Sequence, residues 1–181
     1  MNSRTSSAAF ALLILSASPC CAELKAEPDR ATISQSAKEY IYYQSGVNRA
    51  KSGDNNGAIV DFNKAIEINA SEPDYYFNRG MAKDDSRDFK GAILDYSKAI
   101  ELSREDADFY FSRGISYVSL QDQESAIRDF NRAIALKDSE PEFFFARGVA
   151  LSDSGSPKEA LRDFSLAIFM DPSNDKYYGN R

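Results

Sequence analysis

The sequence predicts an all-α solenoid built from four antiparallel helical hairpins. Four glycines, Gly46, Gly80, Gly114 and Gly148, stand 34 residues apart, and the residues around each are near copies of one another. Self-similarity with a period of about 20 to 50 residues indicates stacked units that bury a shared core. Within each period, short runs of Gly, Asp, Ser or Pro separate two stretches with helical periodicity. Each unit is therefore predicted to be a pair of helices joined by a tight turn.

Residues 1–22 have the outline of a secretory signal peptide. Arg4 is the only charge in this segment, Ala8–Leu15 are uniformly apolar, and Ser16–Ala22 are mostly small residues. A charged start, an apolar stretch of about 7–15 residues and a small-residue exit are the three parts of such a peptide. The apolar stretch is too short for a bilayer, which needs about 20 residues. We predict cleavage near Ala22 and hence a periplasmic or secreted protein.

The two cysteines would leave with this signal peptide. Cys20 and Cys21 are the only thiols in the chain, so the mature protein would contain no disulfide and would be stabilised by packing alone. A second interpretation is a lipoprotein in which one of these cysteines carries lipid. Because Pro19 and Cys20 are poor neighbours for such a processing site, we favour cleavage without lipid attachment.

The composition argues against an enzyme, a metalloprotein and a nucleic-acid-binding protein. The chain contains no histidine, which removes the commonest general base and a frequent metal ligand. It also has no Gly-rich phosphate-binding loop and no nucleophile elbow. Acidic residues outnumber basic ones by 28 to 22, and loss of Arg4 would leave 28 against 21, a net charge of −7. Because an acidic surface repels phosphate backbones, we expect no nucleic-acid partner, and we expect neither a cofactor nor catalysis.

Matched segments in both halves delimit the four units. The first halves read YYQSG, YYFNRG, FYFSRG and FFFARG up to their glycines. The second halves read GAIVDFNKAI, GAILDYSKAI, SAIRDFNRAI and EALRDFSLAI. The units are therefore predicted at residues 39–72, 73–106, 107–140 and 141–174, after a polar linker at 23–38 and before the start of an incomplete fifth unit at 175–181.

The turn of each unit supplies an N-cap for the second helix. Asp54, Asp88, Asp122 and Ser156 fall where a side-chain oxygen can accept a hydrogen bond from the first turn of that helix. Ser156 and Glu159 also have the spacing of a capping box, in which each side chain bonds the backbone N–H of the other residue. These residues predict where all four second helices begin.

The repeated units resemble the tetratricopeptide-repeat family, in the bacterial variant that has an Arg-Gly pair in the first helix. The resemblance covers residues 39–174. The chain departs from the family pattern at two positions of the first helix and at the closing proline, which only Pro172 matches. The resemblance implies a right-handed superhelix of helix-turn-helix repeats, in which the first helices line a concave groove that receives a peptide segment of another protein. Tyr42, Tyr76, Tyr110 and Phe144 stand for the family's tryptophan, and Arg79, Arg113 and Arg147 replace its leucine.

The arginines before the glycines predict ion pairs between neighbouring units. A buried charge without a partner is costly, and an aspartate recurs with the same period in every second helix. The first unit has Ser45 where the others have arginine, so pairing each aspartate with the arginine of the following unit leaves none unmatched. The alternative is that both groups are solvated. The predicted pairs are Asp61 with Arg79, Asp95 with Arg113, Asp129 with Arg147 and Asp163 with Arg181.

One face of the first helices predicts the floor of a partner-binding groove. The residue three before each glycine and the residue just after it share one side of a helix. These positions form an aromatic row and an aliphatic row along the array. The rows are Tyr43, Phe77, Phe111 and Phe145, and beside them Val47, Met81, Ile115 and Val149.

The rim of this groove is acidic, apart from Lys51. An apolar floor with anionic edges suits a protein or peptide that presents hydrophobic anchors flanked by lysine or arginine. The alternative is that the aromatic rings pack against one another along the array, or lie under the tail from Glu23 to Lys38. The rim residues are Asp74, Asp108 and Glu142 at one edge, and Asp84, Asp85 and Asp153 toward the other.

The C-terminal end of the array is predicted to be incompletely closed. The chain stops at Arg181, one residue before a fifth glycine would fall, and terminal repeats need a polar outer face. Leu166 and Phe169 replace polar or small residues of the other units, so the last full helix is apolar nearly all round. Together with Met170 they indicate an edge for end-to-end self-association. The alternatives are a truncated reading frame or a domain boundary.

Two functions follow from these patterns. The first is an exported, non-catalytic scaffold that binds a partner segment in the aromatic groove. The second is a structural protein that self-associates through its C-terminal repeat.

Overall fold

The structure is a computed structural model that describes residues 30–179, with side chains from residue 35 onward. All regular secondary structure in this range is helical. No helix in the described range is both long and apolar enough to span a bilayer. The predicted signal peptide, with both cysteines, lies outside the described residues. The helices are α1 (Arg30–Lys51), α2 (Asn55–Ile68), α3 (Pro73–Asp85), α4 (Phe89–Leu102), α5 (Ala107–Ser119), α6 (Gln123–Leu136), α7 (Pro141–Asp153) and α8 (Pro157–Met170), followed by a 3₁₀ helix (Asp175–Tyr177).

Consecutive helices pack as four hairpins that stack side by side. Helices α1 and α2, α3 and α4, α5 and α6, and α7 and α8 form the hairpins, and each second helix also packs on the first helix of the next unit. First helices of neighbouring units contact one another, whereas second helices make at most a marginal contact. The array therefore bends with its first helices on the inner side. This arrangement confirms the predicted all-α solenoid of helical hairpins.

The periodic glycines allow the two helices of each hairpin to approach closely. A Cβ atom at Gly114 would lie 2.6 Å from Cε1 of Phe130 on the facing helix, well inside van der Waals contact. The same aromatic position faces Gly46, Gly80 and Gly148 in the other units. Phe130 is fully buried by this contact. The spacing that defines the repeat is thus the spacing at which a ring packs directly on a helix backbone.

Three of the four predicted N-caps form side-chain hydrogen bonds. Asp54, Asp88 and Asp122 each accept a bond from the backbone N–H three residues later, at distances of 2.9, 3.0 and 3.0 Å. Ser156 occupies the N-cap position of α8 but makes no side-chain capping bond. The predicted capping box with Glu159 is therefore wrong, because the Glu159 N–H donates instead to the backbone carbonyl of Ser156 at 3.2 Å.

The first helix begins earlier than the repeat pattern predicts. Helix α1 starts at Arg30, so residues 30–38 are helical although they were predicted to be part of a polar linker. The sequence RATISQSAK contains neither glycine nor proline, so nothing in it interrupts a helix that the packed part of α1 already nucleates. Residues 35–38 are exposed. Residues 23–29 lie outside the described range.

The predicted ion pairs between units are wrong, because each arginine pairs with the aspartate of its own hairpin. Nε and Nη2 of Arg113 donate to the two carboxylate oxygens of Asp129 at 2.7 and 2.8 Å. The two side chains face each other across α5 and α6, the two helices of one hairpin. The same bidentate geometry joins Arg79 to Asp95 and Arg147 to Asp163. Asp163 is therefore already paired, and Arg181 lies outside the described residues.

Each arginine nevertheless reaches the preceding unit through its third donor. Nη1 of Arg79 donates to the amide oxygen of Asn63 at 2.6 Å, and the equivalent bonds join Arg113 to Ser97 and Arg147 to Asn131. The carboxylate therefore neutralises the arginine within its own hairpin, and a neutral acceptor connects the arginine to the preceding hairpin.

The first unit, which lacks this arginine, satisfies its aspartate differently. Ser45 Oγ donates to Asp61 at 2.6 Å, and Nε of Arg49, one turn later, lies 3.4 Å from the same carboxylate. The assumption that Asp61 would be unmatched within its own unit was the source of the error.

Candidate partner-binding groove

The aromatic row on the inner face is stacked between units and not openly exposed. The Phe111 ring centroid lies 5.7 Å from that of Phe130 in its own hairpin and 4.6 Å from that of Phe143 in the next. Tyr43, Phe77 and Phe145 have the same two kinds of ring neighbour. All four rings of the row are half-buried. Mutual packing, the alternative considered above, therefore accounts for much of this row.

The aliphatic row carries the apolar surface that is accessible on this face. Met81 is 45% exposed and Ile115 is 37% exposed, while Val47 and Val149 are half-buried. Met81 and Ile115 come from neighbouring hairpins and line one shared recess. The most accessible apolar part of the groove therefore lies at its centre, between the second and third units.

The acidic residues at one edge of the groove stand at the N-termini of first helices. Asp74, Asp108 and Glu142 lie in the first turns of α3, α5 and α7, and all three are exposed. Carboxylates in this position also stabilise a helix through its dipole, so part of their role is structural. Toward the other edge, Asp85 and Asp153 are exposed as expected.

Asp84 is not a rim residue, because it lies between α3 and α5 and is half-buried. Its Oδ1 accepts a hydrogen bond from Oγ of the fully buried Ser116 at 2.9 Å. Burial raises the pKa of the Asp84 carboxyl above its ordinary value, the Ser116 bond lowers it, and the neighbouring Asp85 raises it further. The repeat pattern predicts Asp84 at the edge of the groove, because the spacing of residues along the sequence does not show that its side chain bonds to Ser116 of the next unit.

The recess at the centre of the groove has a volume of about 140 Å³ and a lining of both apolar and polar residues. Tyr96, one of the lining residues, is only 1% exposed, and its hydroxyl makes no hydrogen bond with any described residue. The other three units have phenylalanine at the equivalent position. Burial, followed by the charges of Asp84 and Asp85, raises the pKa of Tyr96. The recess is lined by Met81, Asp84, Asp85, Tyr96, Ser112 and Ile115.

The sequence contains a signal for this recess in two departures from the repeat pattern. The second unit reads LDYSKA where the other units have phenylalanine before the polar residue, so Tyr96 is the one hydroxyl on that row. Asp84 and Asp85 are likewise specific to the second unit as a pair. Departures from a repeat pattern can therefore indicate a local site.

A hydrogen-bonded polar cluster lies at the N-terminal end of the array. Glu39 of α1 accepts bonds from the hydroxyl of Tyr75 at 2.5 Å and from Nδ2 of Asn69 at 2.8 Å. Nδ2 of Asn78 lies 3.4 Å from the hydroxyl of Tyr43. Burial is the main cause that raises the pKa of both tyrosines. The bonds of Tyr75 and Asn78 join the first two hairpins.

The C-terminal end is partly covered by the start of the fifth unit. Tyr177, in the 3₁₀ helix, is buried, and its ring centroid lies 5.0 Å from that of Phe145. It takes the place that Phe143 has one unit earlier, so the inner face of the last hairpin is less open than an incompletely closed array would be. Phe169 is 85% exposed, Leu166 is also exposed and Met170 is half-buried.

Phe169 is exposed because of its position within the repeat. The equivalent residues Glu67, Glu101 and Ala135 are exposed in the other three units, where a following hairpin is present. The exposure of Phe169 therefore follows from its position in the repeat, and the last unit differs from the others in placing a large apolar side chain there.

In the range that the structure describes, no group of three or more Asp, Glu, Cys or His residues could hold a metal ion.

Two models of the tetratricopeptide repeat match the chain, one at residues 49–83 and the other at 77–141 and 111–175. The second model alone spans more than half of the 181 residues. The chain belongs to the tetratricopeptide-repeat family. This confirms the resemblance inferred from the repeated segments, and no curated protein sequence matches the chain.

Several solved tetratricopeptide-repeat structures have the same fold. A crystal structure of MamA is 24% identical, covers 77% of this chain and 81% of its own, and has a TM-score of 0.72. YrrB, described as a tetratricopeptide-repeat protein with an unusual peptide-binding site, is 22% identical, covers 83% of this chain and 78% of its own, and has a TM-score of 0.71. The Arabidopsis OM64 repeat domain is 24% identical, covers 65% of this chain and 98% of its own, and has a TM-score of 0.64. At these identities the similarity establishes the fold alone.

Proposed function

We propose that this protein is an exported, non-catalytic scaffold that binds an extended segment of a partner protein along the inner face of its first helices. Membership of the tetratricopeptide-repeat family supports a protein-interaction scaffold, because repeat arrays bind through extended surfaces and not through enclosed clefts. The peptide-binding site named for YrrB is consistent with this role.

The observation that carries the proposal is the apolar centre of the groove with carboxylates on both sides. Met81 and Ile115 expose apolar surface on the inner face, and Asp74, Asp108 and Asp85 are exposed around it. An apolar strip with this surrounding charge favours a partner that presents hydrophobic anchors between lysine or arginine residues. The negative net charge of the whole chain would also favour encounter with a basic segment.

The test compares two double variants for capture of partners from a cell-envelope extract. Met81→Ser with Ile115→Ser removes the accessible apolar surface of the groove, and both residues are exposed enough that folding should be retained. Val60→Ser with Leu94→Ser is the matched control, because these residues are 49% and 72% exposed on second helices. We expect the groove variant to lose partners that the wild type and the control retain. Equal capture by all three proteins would contradict the proposal.

Export rests on the N-terminal segment, which the described structure does not include. Expression of the whole chain in a Gram-negative host, followed by mass measurement of the periplasmic protein, checks this part. The expected N-terminal residue is Glu23. An uncleaved chain that stays in the cytoplasm would contradict export and leave the binding proposal to its own test.

The alternative function is self-association through the C-terminal repeat. The exposed side chains of Phe169 and Leu166 on α8 favour it, because large exposed apolar groups that lie together often mark contacts. Light scattering would give a mass above that of one chain, and Phe169→Glu would restore the mass of one chain. A wild type that has the mass of one chain at every concentration would contradict this alternative.

A further inference from the structure

The recess between the second and third units contains a carboxylate that the protein itself does not neutralise. Asp84 receives one hydrogen bond, from the neutral hydroxyl of Ser116, and no lysine or arginine lines the recess. By contrast, the buried Asp95 on the neighbouring helix contacts both Arg79 and Lys83, at 2.6 and 2.8 Å. A partly buried carboxylate without a cation is costly in the free protein, because burial disfavours its charged form.

A second polar group at the same place also lacks a partner. The hydroxyl of Tyr96 is directed into the recess, in a side chain that is 99% buried, and it makes no hydrogen bond with any described residue. The hydroxyl oxygen itself is not sealed from solvent, because the fully buried unpaired side-chain oxygens of the described residues belong to Asn55 and Gln123, so it remains open to a ligand atom that enters the recess. The ring itself is held in place, because it packs on Gly80 and against Phe77.

The size of the recess limits the ligand to one side chain. A volume of about 140 Å³ is smaller than the roughly 300–1,000 Å³ of pockets that hold drug-sized molecules. Its wall combines the apolar side chains of Met81 and Ile115 with the polar group of Tyr96. A long aliphatic stem that ends in a cation fits this combination, because the stem can lie on apolar atoms while the charge meets carboxylates.

We infer that this recess receives the side chain of a lysine in the bound segment of the partner. The stem lies between Met81 and Ile115, and the ammonium donates to the free oxygen of Asp84 and to the hydroxyl of Tyr96. Lysine suits the site better than arginine, because the recess measures only about 140 Å³ and the ammonium is a compact point charge, whereas the guanidinium is a larger planar fork. This inference rests on the proposed groove function, and it assigns the central position of the bound segment.

The first experiment tests the recess directly, without any partner. The full chain, labelled with ¹⁵N, is titrated with N-acetyl-lysine N-methylamide and with the norleucine analogue, which has the same type of stem and no charge. We expect amide shifts of Ser112, Ile115 and Ser116 at least about fivefold larger with the lysine probe. Equal shifts with the two probes would overturn the inference, whatever the outcome of the partner-capture experiment.

Three variants make this titration specific. Tyr96→Phe reproduces the residue that the other three units have at this position, so folding is preserved, and Asp84→Asn keeps an oxygen that can accept the Ser116 bond. Both should reduce the lysine-dependent shifts severalfold. Asp153→Asn removes an exposed carboxylate at the position of Asp85 in the last unit and should leave the shifts unchanged. An equal loss of the lysine-dependent shifts in Asp153→Asn would show that these shifts depend only on the net charge of the protein, and it would overturn the inference.

A peptide-display selection separates the inference from the function on which it rests. Selection on the wild type should enrich peptides with lysine at one fixed position between apolar residues, and selection on Asp84→Asn should lose that preference while still enriching apolar peptides. Enrichment without a lysine preference, or an equal preference for arginine, would overturn the inference and support the groove. Failure to enrich any peptide would contradict the groove function, and the lysine-probe titration would still decide the recess.

Discussion

Asp95 and Asp84 are two partly or fully buried carboxylates on neighbouring helices, and the protein treats them differently. Asp95 is bound bidentately by Arg79 and also contacts Lys83. Asp84, on the inner side of α3, has only the hydroxyl of Ser116. Asp95 has equivalents in all four units, whereas Asp84 has none, since Ala50, Val118 and Ser152 stand in its place. The repeated carboxylate is neutralised inside the array, and the unrepeated one is left open toward the groove.

This difference separates structural charge from charge that is available for binding. A carboxylate that is paired in the folded monomer contributes to stability and has little to offer a partner. A half-buried carboxylate without a cation lowers the stability of the free protein and gains most when a cation arrives. Loss of the cation that pairs with a repeated aspartate should therefore lower the free energy of unfolding, whereas neutralisation of Asp84 should raise it.

The largest expected effect is the loss of an arginine from the repeated pairs. Arg113→Ala leaves Asp129 buried without a cation, and breaking such a pair typically costs about 3–5 kcal/mol. Arg79→Ala should cost less, because Lys83 remains 2.8 Å from Asp95. The free energy of unfolding from urea titration measures both.

Arg128→Ala is the control for these variants, because the Arg128 side chain is 62% exposed in its pair with Glu124. Exposed pairs contribute about 0–1 kcal/mol, so this variant should resemble the wild type. A loss below about 1 kcal/mol for Arg113→Ala would show that the repeated pairs are not structural. An equal loss of unfolding free energy in Arg79→Ala and Arg113→Ala would show that Lys83 does not compensate for the missing arginine at Asp95.

A smaller effect of opposite sign is expected for Asp84→Asn. Because the pKa of Asp84 is raised in the folded protein, its charged form is less favoured there than in the unfolded chain. The resulting destabilisation is absent below the ordinary aspartate value of 3.8 and develops as the pH rises through the folded pKa. The free energy of unfolding of Asp84→Asn should therefore exceed that of the wild type at pH 7, and the difference should vanish near pH 3. A variant that is less stable than the wild type at pH 7 would mean that Asp84 has a cationic partner.

The smallest effect is expected for Tyr96→Phe. The hydroxyl makes no hydrogen bond with the described residues, so its removal should change the free energy of unfolding by no more than about 0.5 kcal/mol. Thermal unfolding beside the wild type measures this. A loss above about 1 kcal/mol would reveal a partner for the hydroxyl and close the recess as a candidate site.

Most of the fold could be predicted from the sequence, because residues with the same structural role recur in all four units. The glycines marked where a ring packs on a helix backbone, and Asp54, Asp88 and Asp122 marked the starts of second helices correctly. The N-terminal part of α1, before the first unit, could not be predicted in this way, since residues 30–38 have no counterpart in the other units.

The pairing of the arginines could not be predicted from their period. Arg113 recurs at the same interval as both Asp95 and Asp129, so spacing alone allows either partner. The choice depends on which side chains face each other across the hairpin, and Gly114 brings α5 closest to α6 at that level. The groove was predicted in outline, but its aromatic rings are shared between neighbouring hairpins and its most distinctive residues, Asp84 and Tyr96, are those that break the repeat.

The arginine contacts have a consequence for how such an array can change in length. Because Arg113 is neutralised by Asp129 of its own hairpin, deletion or duplication of a complete 34-residue unit removes or adds a whole ion pair and strands no charge. The contact that crosses the junction needs only a neutral oxygen, and Asn63, Ser97 and Asn131 all supply one. One unit can therefore replace another at this contact. A gene duplication that copies one complete unit would leave no unpaired charge at the new junction.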